Sequence, residues 1–253
     1  MWTSIKTIVR PTSLEQAITY LVPGRKVVLA GGSYLVAEQS PHIDTLIDIN
    51  NLIGQDVIEN GDGIDIGAGV TLENILEHLK KERWANLTAC VRWSCPSKNI
   101  RNQRTIGGEI ARARPDSELC TFLHALGATL RIVSADPQEI DIRNWDATGI
   151  ITATRIETAH LEGTAIQRFA LIPSAPAFVI VVGVRREKGI DISIGGRADG
   201  ISTWAFSGEE SPLDFASETA AAAVEHFSTD HYGSQAYKQK LIEVGLRRII
   251  EEL

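Results

Sequence analysis

Val28-Leu29-Ala30-Gly31-Gly32-Ser33-Tyr34-Leu35 sets a glycine doublet at the end of a short β run, Lys26 to Ala30, and just before a hydroxyl residue. Glycine reaches positive φ at no steric cost and lets another group approach the backbone closely. A turn of consecutive backbone N–H groups forms an anion-binding nest, well suited to a pyrophosphate. A second doublet lies in Ile100-Arg101-Asn102-Gln103-Arg104-Thr105-Ile106-Gly107-Gly108. A third, Gly195-Gly196, falls between two β runs and reads as a hairpin turn. Spacing alone leaves the first two open between anion nests and ordinary turns.

The chain has 253 residues, 43% of them hydrophobic, so one to two domains with a sizeable core are expected. Against 25 Lys and Arg stand 32 Asp and Glu, a net charge of −7. That balance argues against a protein held to nucleic acid by phosphate neutralisation. The longest apolar runs, such as Phe178 to Val182, fall far short of the ~20 residues of a membrane span. The N-terminus shows no basic-then-apolar leader pattern, and a cytoplasmic location is expected. Three cysteines, Cys90, Cys95 and Cys120, are too few for a disulfide framework or the four thiolates of an iron–sulfur cluster.

Along the chain, Thr12-Ser13 reads as a hydroxyl cap before Leu14, Ala17, Ile18 and Leu21 at helical spacing. Thr45 to Ile49 is a β run, and Gly61-Asp62-Gly63 reads as a hairpin turn between Asp56–Glu59 and Ile64–Ile66. Thr71 caps a helix, Asp116 or Ser117 another, and Leu130 to Val133 is a strand. Thr164 to Pro176 has the texture of a loop. Three β runs follow (177–184, 190–194 and 201–206) as an antiparallel meander, then helices over 217–227 and 235–253. A domain boundary is placed near residue 157.

Other chemistry-bearing motifs fail. Gly67-Ala68-Gly69 starts a G-x-G-x-x-G fingerprint, but position 72 is Leu. There is no G-x4-G-K-[ST], H-E-x-x-H or G-x-S-x-G pattern, and the six histidines are dispersed, so neither a catalytic residue nor a metal ligand is nominated.

The surroundings of the doublets carry a resemblance. Val28 to Leu35 resembles the first flavin loop of the FAD-binding subunit of molybdenum hydroxylases. That family includes the medium subunit of aerobic carbon monoxide dehydrogenase and the flavin domain of xanthine dehydrogenase. In the family's order, Leu46 to Ile49 resembles the strand that follows, and Ile66-Gly67-Ala68-Gly69-Val70-Thr71 resembles its I-G-A-x-x-T segment. Ile100 to Gly108 resembles its I-R-N-x-x-T-I-G-G loop, and Pro115-Asp116-Ser117-Glu118-Leu119 its P-x-S-D helix. Ser228-Thr229-Asp230 with Ser234 to Lys238 is similar to its S-D…S-A-x-Y-R segment.

The resemblance implies an α+β fold. A two-lobed FAD domain of the vanillyl-alcohol-oxidase (PCMH) type would occupy 1–157, with lobes of about 1–55 and 56–157. A smaller α/β domain with an antiparallel sheet and helices would occupy 158–253. It implies FAD in the cleft, held by Val28, Leu29, Ala30, Gly31, Gly32, Ser33, Tyr34 and Leu35 and by Thr105, Ile106, Gly107, Gly108 and Glu109. Backbone N–H groups of Ala30 to Tyr34 and of Ile106 to Gly108 would cradle the pyrophosphate, Ser33 and Thr105 would offer hydroxyls, and Glu118 would accept from ribose or adenine-side groups. The implied function is an electron-transfer subunit. It would take electrons from a [2Fe-2S] small subunit and pass them through FAD to NAD, a quinone or oxygen. Substrate would be oxidised on a molybdopterin large subunit. The alternatives are an FAD-free scaffold of the same fold and a stand-alone flavin reductase.

The chain departs from the pattern at particular positions. Arg104 stands where the family often has Gly, Glu109 where it usually has Asn, and Glu118 where it has Asp. A carboxylate beside a pyrophosphate is unfavourable unless it turns away to solvent. The segment 146–176 is short, with Arg168-Phe169 as the remnant of an aromatic–basic pair near the flavin.

Overall fold

Short strands and capped helices alternate through the computed structural model, which describes residues 2–21, 24–134 and 137–253. In chain order come β1 (Thr7–Val9), α1 (Leu14–Tyr20), β2 (Lys26–Leu29), α2 (Ser33–Glu38), β3 (Thr45–Asp48), β4 (Val57–Asn60) and β5 (Gly63–Gly67). Next are α3 (Leu72–His78), α4 (Ala85–Ser94), α5 (Lys98–Arg101), α6 (Ile106–Ala111), α7 (Glu118–Leu126), β6 (Thr129–Val133), β7 (Gln138–Asp141) and β8 (Ile150–Glu157). The last part holds β9 (Gly163–Phe169), β10 (Val179–Arg186), β11 (Gly189–Gly196), β12 (Ser202–Phe206), α8 (Pro212–Ala223) and α9 (Gln235–Glu252).

The chain folds into two compact units that interleave in sequence. The first holds Met1–His78, Ser97–Ala113 and Ala128–Ile156; the second holds Leu79–Pro96, Arg114–Gly127 and Glu157–Leu253. In the first unit β3 lies between β1 and β2, parallel to both. A five-stranded sheet runs β4-β5-β8-β6-β7. Asn60 faces Gly63 across the β4–β5 ladder, so the hairpin turn expected over Gly61-Asp62-Gly63 is two residues, Gly61-Asp62, and Gly63 opens β5. The helix caps are local chemistry. Ser13 accepts from the Gln16 N–H, and Thr71 Oγ1 accepts from the Asn74 N–H at 3.2 Å. Ile47, Ile64, Ile66, Leu72, Ile75, Ile106 and Leu130 are fully buried in this unit.

The second unit is built on the antiparallel sheet β12-β11-β10-β9. Val179 to Val184 of β10 are buried on both faces, which accounts for the uninterrupted apolar run. Val179, Val181, Ile192 and Ile194 join Phe215, Ile242, Leu246 and Ile249 of α8 and α9 in one apolar cluster. Helix α7 packs on β10 and β11, and its N-cap is Ser117, which accepts from the Cys120 N–H. No helix among the described residues is long and apolar enough to cross a membrane.

Several expectations are corrected. Thr164–Phe169 is strand β9 rather than a loop; Gln167 and Arg168 break its apolar alternation because β9 is the edge strand of its sheet. Gly195-Gly196 is not a hairpin turn but the end of β11, paired with Ile180 and Val179. A Cβ at Gly195 would lie 2.5 Å from Thr121 Oγ1 of α7, so the glycine serves helix–sheet approach. The first of the two closing helices starts at Pro212, earlier than expected, with proline in its first turn.

Candidate functional site

Strand β2 delivers the chain to Gly31-Gly32, the N-terminus of α2. Gly32 is the N-cap with φ +71°, a left-handed conformation that favours glycine. Gly31 is fixed by proximity: a Cβ there would sit 1.8 Å from the Gln103 carbonyl oxygen. The first doublet therefore lies directly against the approach to the second. No hydrogen bond among the described residues uses the N–H groups of Gly31 or Gly32.

The second doublet differs. It is the first turn of α6, with Thr105 as N-cap, rather than an open loop. Its amides are spent inside the protein. The Ile106 N–H donates to the Val70 carbonyl at 2.9 Å, and the Gly107 N–H to the Ala68 carbonyl at 3.0 Å. The Gly108 N–H donates to Thr105 Oγ1 at 3.1 Å. A Cβ at Gly107 would meet the Ala68 Cβ at 2.7 Å, so this glycine packs α6 against the strand end. Of the three N–H groups expected to cradle a pyrophosphate, those of Ile106 and Gly107 thus pair with the chain just after β5, and that of Gly108 closes the α6 cap.

Between the sheets of the first unit lies a cleft of about 540 Å³. Val28, the run Ala30 to Leu35, Thr105, Gly107 and Gly108 line it, so the two doublets meet at one site. Leu29, Ile106 and Glu109 are not on its wall. Among the described residues, the charged ones lining it are Lys26, Arg104 and Arg112, with no carboxylate. Trp145, Thr148 and Ile151 complete the opposite wall. Lys26 and Trp145 were not nominated from sequence. Lys26 is visible as a basic residue opening the strand before the doublet, whereas Trp145 reaches the cleft only through the pairing of β6 with β8 and β7.

Arg104 and Glu109, the departures from the family pattern, are partners. Arg104 donates from Nε to Ser33 Oγ at 3.2 Å and from Nη1 to Tyr34 Oη at 2.9 Å. Its guanidinium lies 3.9 Å from the Tyr34 ring centroid. The Tyr34 hydroxyl donates to Glu109 Oε2 at 2.7 Å, and Arg104 Nη1 is 3.4 Å from the same oxygen. Glu109 therefore does not turn to solvent: its side chain is wholly buried and compensated from behind the cleft wall.

Glu118 belongs to the second unit. Its carboxylate accepts from Arg168 Nε at 2.6 Å and from Ser94 Oγ at 3.4 Å. Burial pushes its pKa up, against the opposing pull of Arg168. Arg168 also lies 5.6 Å from the Trp93 ring centroid, while Phe169 packs against the apolar cluster. Both oxygens of Glu118 thus have partners in its own unit, and an accepting role toward a ribose would compete with Arg168. All three cysteines are buried, and burial with the nearby Glu118 charge raises the Cys90 thiol well above its ordinary range.

Residues 3–146 match the family described as the FAD binding domain in molybdopterin dehydrogenase. The chain belongs to this FAD-binding family. The glyceraldehyde dehydrogenase medium chain of Sulfolobus acidocaldarius is 30% identical over 132 residues, 50% of this chain and 47% of that one. The match thus spans about half the length of the curated relative. Carbon monoxide dehydrogenase from Hydrogenophaga pseudoflava shares the fold with a TM-score of 0.79 at 19% identity, over 98% of this chain and 96% of that one. Quinoline 2-oxidoreductase from Pseudomonas putida 86 does so with a TM-score of 0.78 at 18% identity, over 98% and 96%. The cofactor of the family is FAD. The cleft fits it: the open amides of Gly31 and Gly32 and three cations, with no carboxylate among the described lining residues, make a donor set for a diphosphate.

Proposed function

We propose that this chain is the FAD-carrying electron-transfer subunit of a molybdenum hydroxylase-type dehydrogenase. In this reading a [2Fe-2S] small subunit supplies electrons, a molybdopterin large subunit oxidises the substrate, and NAD, a quinone or oxygen is the external acceptor. The chain would work in the cytoplasm. The single observation that carries the reading is the cleft, where both glycine doublets meet a wall with three cations and no carboxylate among the described residues. The Gly31 and Gly32 amides would hold the diphosphate, and Thr105 and Ser33 would add hydroxyls. Trp145, Ile49, Ile53 and Ile151 offer apolar surface to the ring systems and exclude water from them. When bound, the flavin supplies the redox chemistry.

The finer architecture belongs to the same proposal: a two-lobed PCMH-type domain, with a C-terminal domain from about residue 158. The three-stranded sheet lies within 1–55 and the five-stranded sheet within 56–157, which supports that division.

The test is to purify the chain, record its visible absorbance and titrate FAD while following quenching of flavin fluorescence. Stoichiometric uptake is expected, and Gly32→Asp should abolish it by placing a side chain and a negative charge at the open amides. A folded Gly32→Asp variant with unchanged flavin content would remove the first loop from the site.

A further inference from the structure

We infer that Trp145 is the platform on which the adenine ring of the cofactor stacks, in the end of the cleft away from the glycine doublets. The inference deepens the FAD reading above and rests on it.

The cleft has two ends. The Gly107 N–H donates to the Ala68 carbonyl, and the Ala68 N–H to the Thr152 carbonyl at 2.9 Å, so Thr152 of β8 abuts the second doublet. Ile150, where β8 begins, lies two residues back, roughly 7 Å along the strand. Trp145, Ala147 and Thr148 line the cleft just before it. Ile150 pairs with Val133 of β6, and α1 packs on β6, which brings Leu21 at the end of α1 to this same end. The doublets thus mark a diphosphate end, and Leu21, Trp145 and Ile150 an apolar end.

Size and reach decide what fills the apolar end. A cleft of about 540 Å³ lies within the ~300–1,000 Å³ that enclose one drug-sized ligand. FAD is two such halves joined at the diphosphate, so the cleft encloses one of them. Adenine is separated from the diphosphate by a ribose alone, which matches the short step from Thr152 to Ile150. The isoalloxazine hangs on a five-carbon ribityl chain, and electron exchange with other molecules requires it to stay accessible.

The Trp145 loop is built to hold an indole plane still. Trp145 Nε1 donates to the Thr148 carbonyl at 3.0 Å. Asp146 Oδ1 accepts from the Thr148 N–H at 3.0 Å and from Thr148 Oγ1 at 2.6 Å. Ala147 has φ +65° and Gly149 φ +77°, and a Cβ at Gly149 would lie 2.5 Å from Ile132 Cγ2. The polar edge of the indole is therefore spent on its own loop, and its faces are left for a ligand. Arg83 lies over the Trp84 ring and Arg168 over that of Trp93, whereas among the described residues no ring or cation stacks on half-buried Trp145. A ring fixed before binding loses little freedom when a base stacks on it.

The experiment compares wild type, W145A and W145F as full chains, with FAD, ADP and FMN as ligands and the dissociation constant as readout. ADP and FMN are the two halves of FAD. Stacking on adenine predicts that W145A weakens FAD and ADP by the same factor, on the order of 5- to 100-fold. FMN, which has no adenine, binds W145A as it binds wild type. W145F stays within a few-fold of wild type for FAD and ADP, because it keeps an aromatic face while losing the bond to Thr148. A W145F as weak as W145A would overturn the inference, since Trp145 would then act by holding the loop. A loss for FMN and not ADP would overturn it by turning the indole to the flavin. Unchanged FAD affinity in W145A, or a wild type that binds FAD and FMN but not ADP, would overturn it while leaving the FAD reading intact. A wild-type chain that takes neither FAD nor ADP would remove the FAD reading, and this inference with it. If W145A does not fold, W145L, which fills the space without a ring, takes its place under the same readings.

Discussion

At Gly31 a single methyl group would place carbon 1.8 Å from the Gln103 carbonyl oxygen. The obstacle is backbone, which cannot swing aside like a side chain end. Gly31→Ala should therefore lower stability by about 2 kcal/mol or more. Gly61→Ala, where nothing lies within 4 Å, is the matched control and should change little. Urea midpoints of the two variants check this, and equal midpoints would show that the loops are not pressed together. Sequence marked Gly31 as special through its doublet and the β run before it. It could not give the reason, because Gln103 is 72 positions away and its own side chain carries no signal. Glu109 shows the same limit. Its charge is evident in sequence and suggests a carboxylate facing solvent. Its burial depends on Tyr34, and nothing local to residue 109 announces that contact.

Elements in both units are joined by buried ion pairs. Glu73 of α3 accepts from Arg101 of α5 at 2.7 Å and lies 3.5 Å from Lys98, fixing the segment that leads to Arg104. The Arg101 hydrogen bond holds the Glu73 carboxyl below its ordinary pKa. A lowered folded-state pKa means the unfolded chain takes up the proton first as pH falls. The stabilisation is therefore complete above the ordinary carboxylate range and is lost as pH falls through the lowered value. Glu73→Gln should cost about 2 kcal/mol at neutral pH. Its deficit against wild type should shrink in urea titrations carried down toward about pH 4. A deficit independent of pH would mean that shape, not charge, couples α3 to α5. In the second unit Arg168 of β9 meets Glu118 of α7 with side-chain exposures of 10% and 1%. Arg168→Met leaves a buried carboxylate without its cation and should cost about 3–5 kcal/mol, read by the same urea unfolding. A loss below about 1 kcal/mol would show that solvent already screens the pair. Legibility divides along this line. The helix caps at Ser13, Thr71 and Ser117 and the Gly61-Asp62 turn are decided within a few residues, and sequence shows them. Strand β9 is decided by its partner β10 and by the pairing of Arg168 with α7, so its own letters read as a loop.

At the scale of the whole molecule, two compact units are threaded together by a chain that crosses between them several times. Segments Leu79–Pro96 and Arg114–Gly127 carry α4 and α7 into the second unit, on either side of the segment that carries the second doublet. A linear reading assigns contiguous stretches and sees no composition change at those crossings, because α4 and α7 are ordinary apolar-faced helices wherever they pack. Both doublets fall in the first unit and line its cleft. This arrangement makes a ligand effect that can be mapped along the chain. A ligand that binds only the folded state adds RT ln(1 + [L]/Kd), about 2.7 kcal/mol at 100 times Kd. Because the stretches 26–35, 104–112 and 145–151 supply most of the cleft lining, their amides should gain that protection when FAD is bound. Hydrogen exchange read segment by segment, with and without saturating FAD, measures it. Protection concentrated in these three stretches is expected. Protection confined to β9 through β12, with none in the glycine doublets, would place the flavin outside the cleft and end the case for Gly31 and Gly32 together.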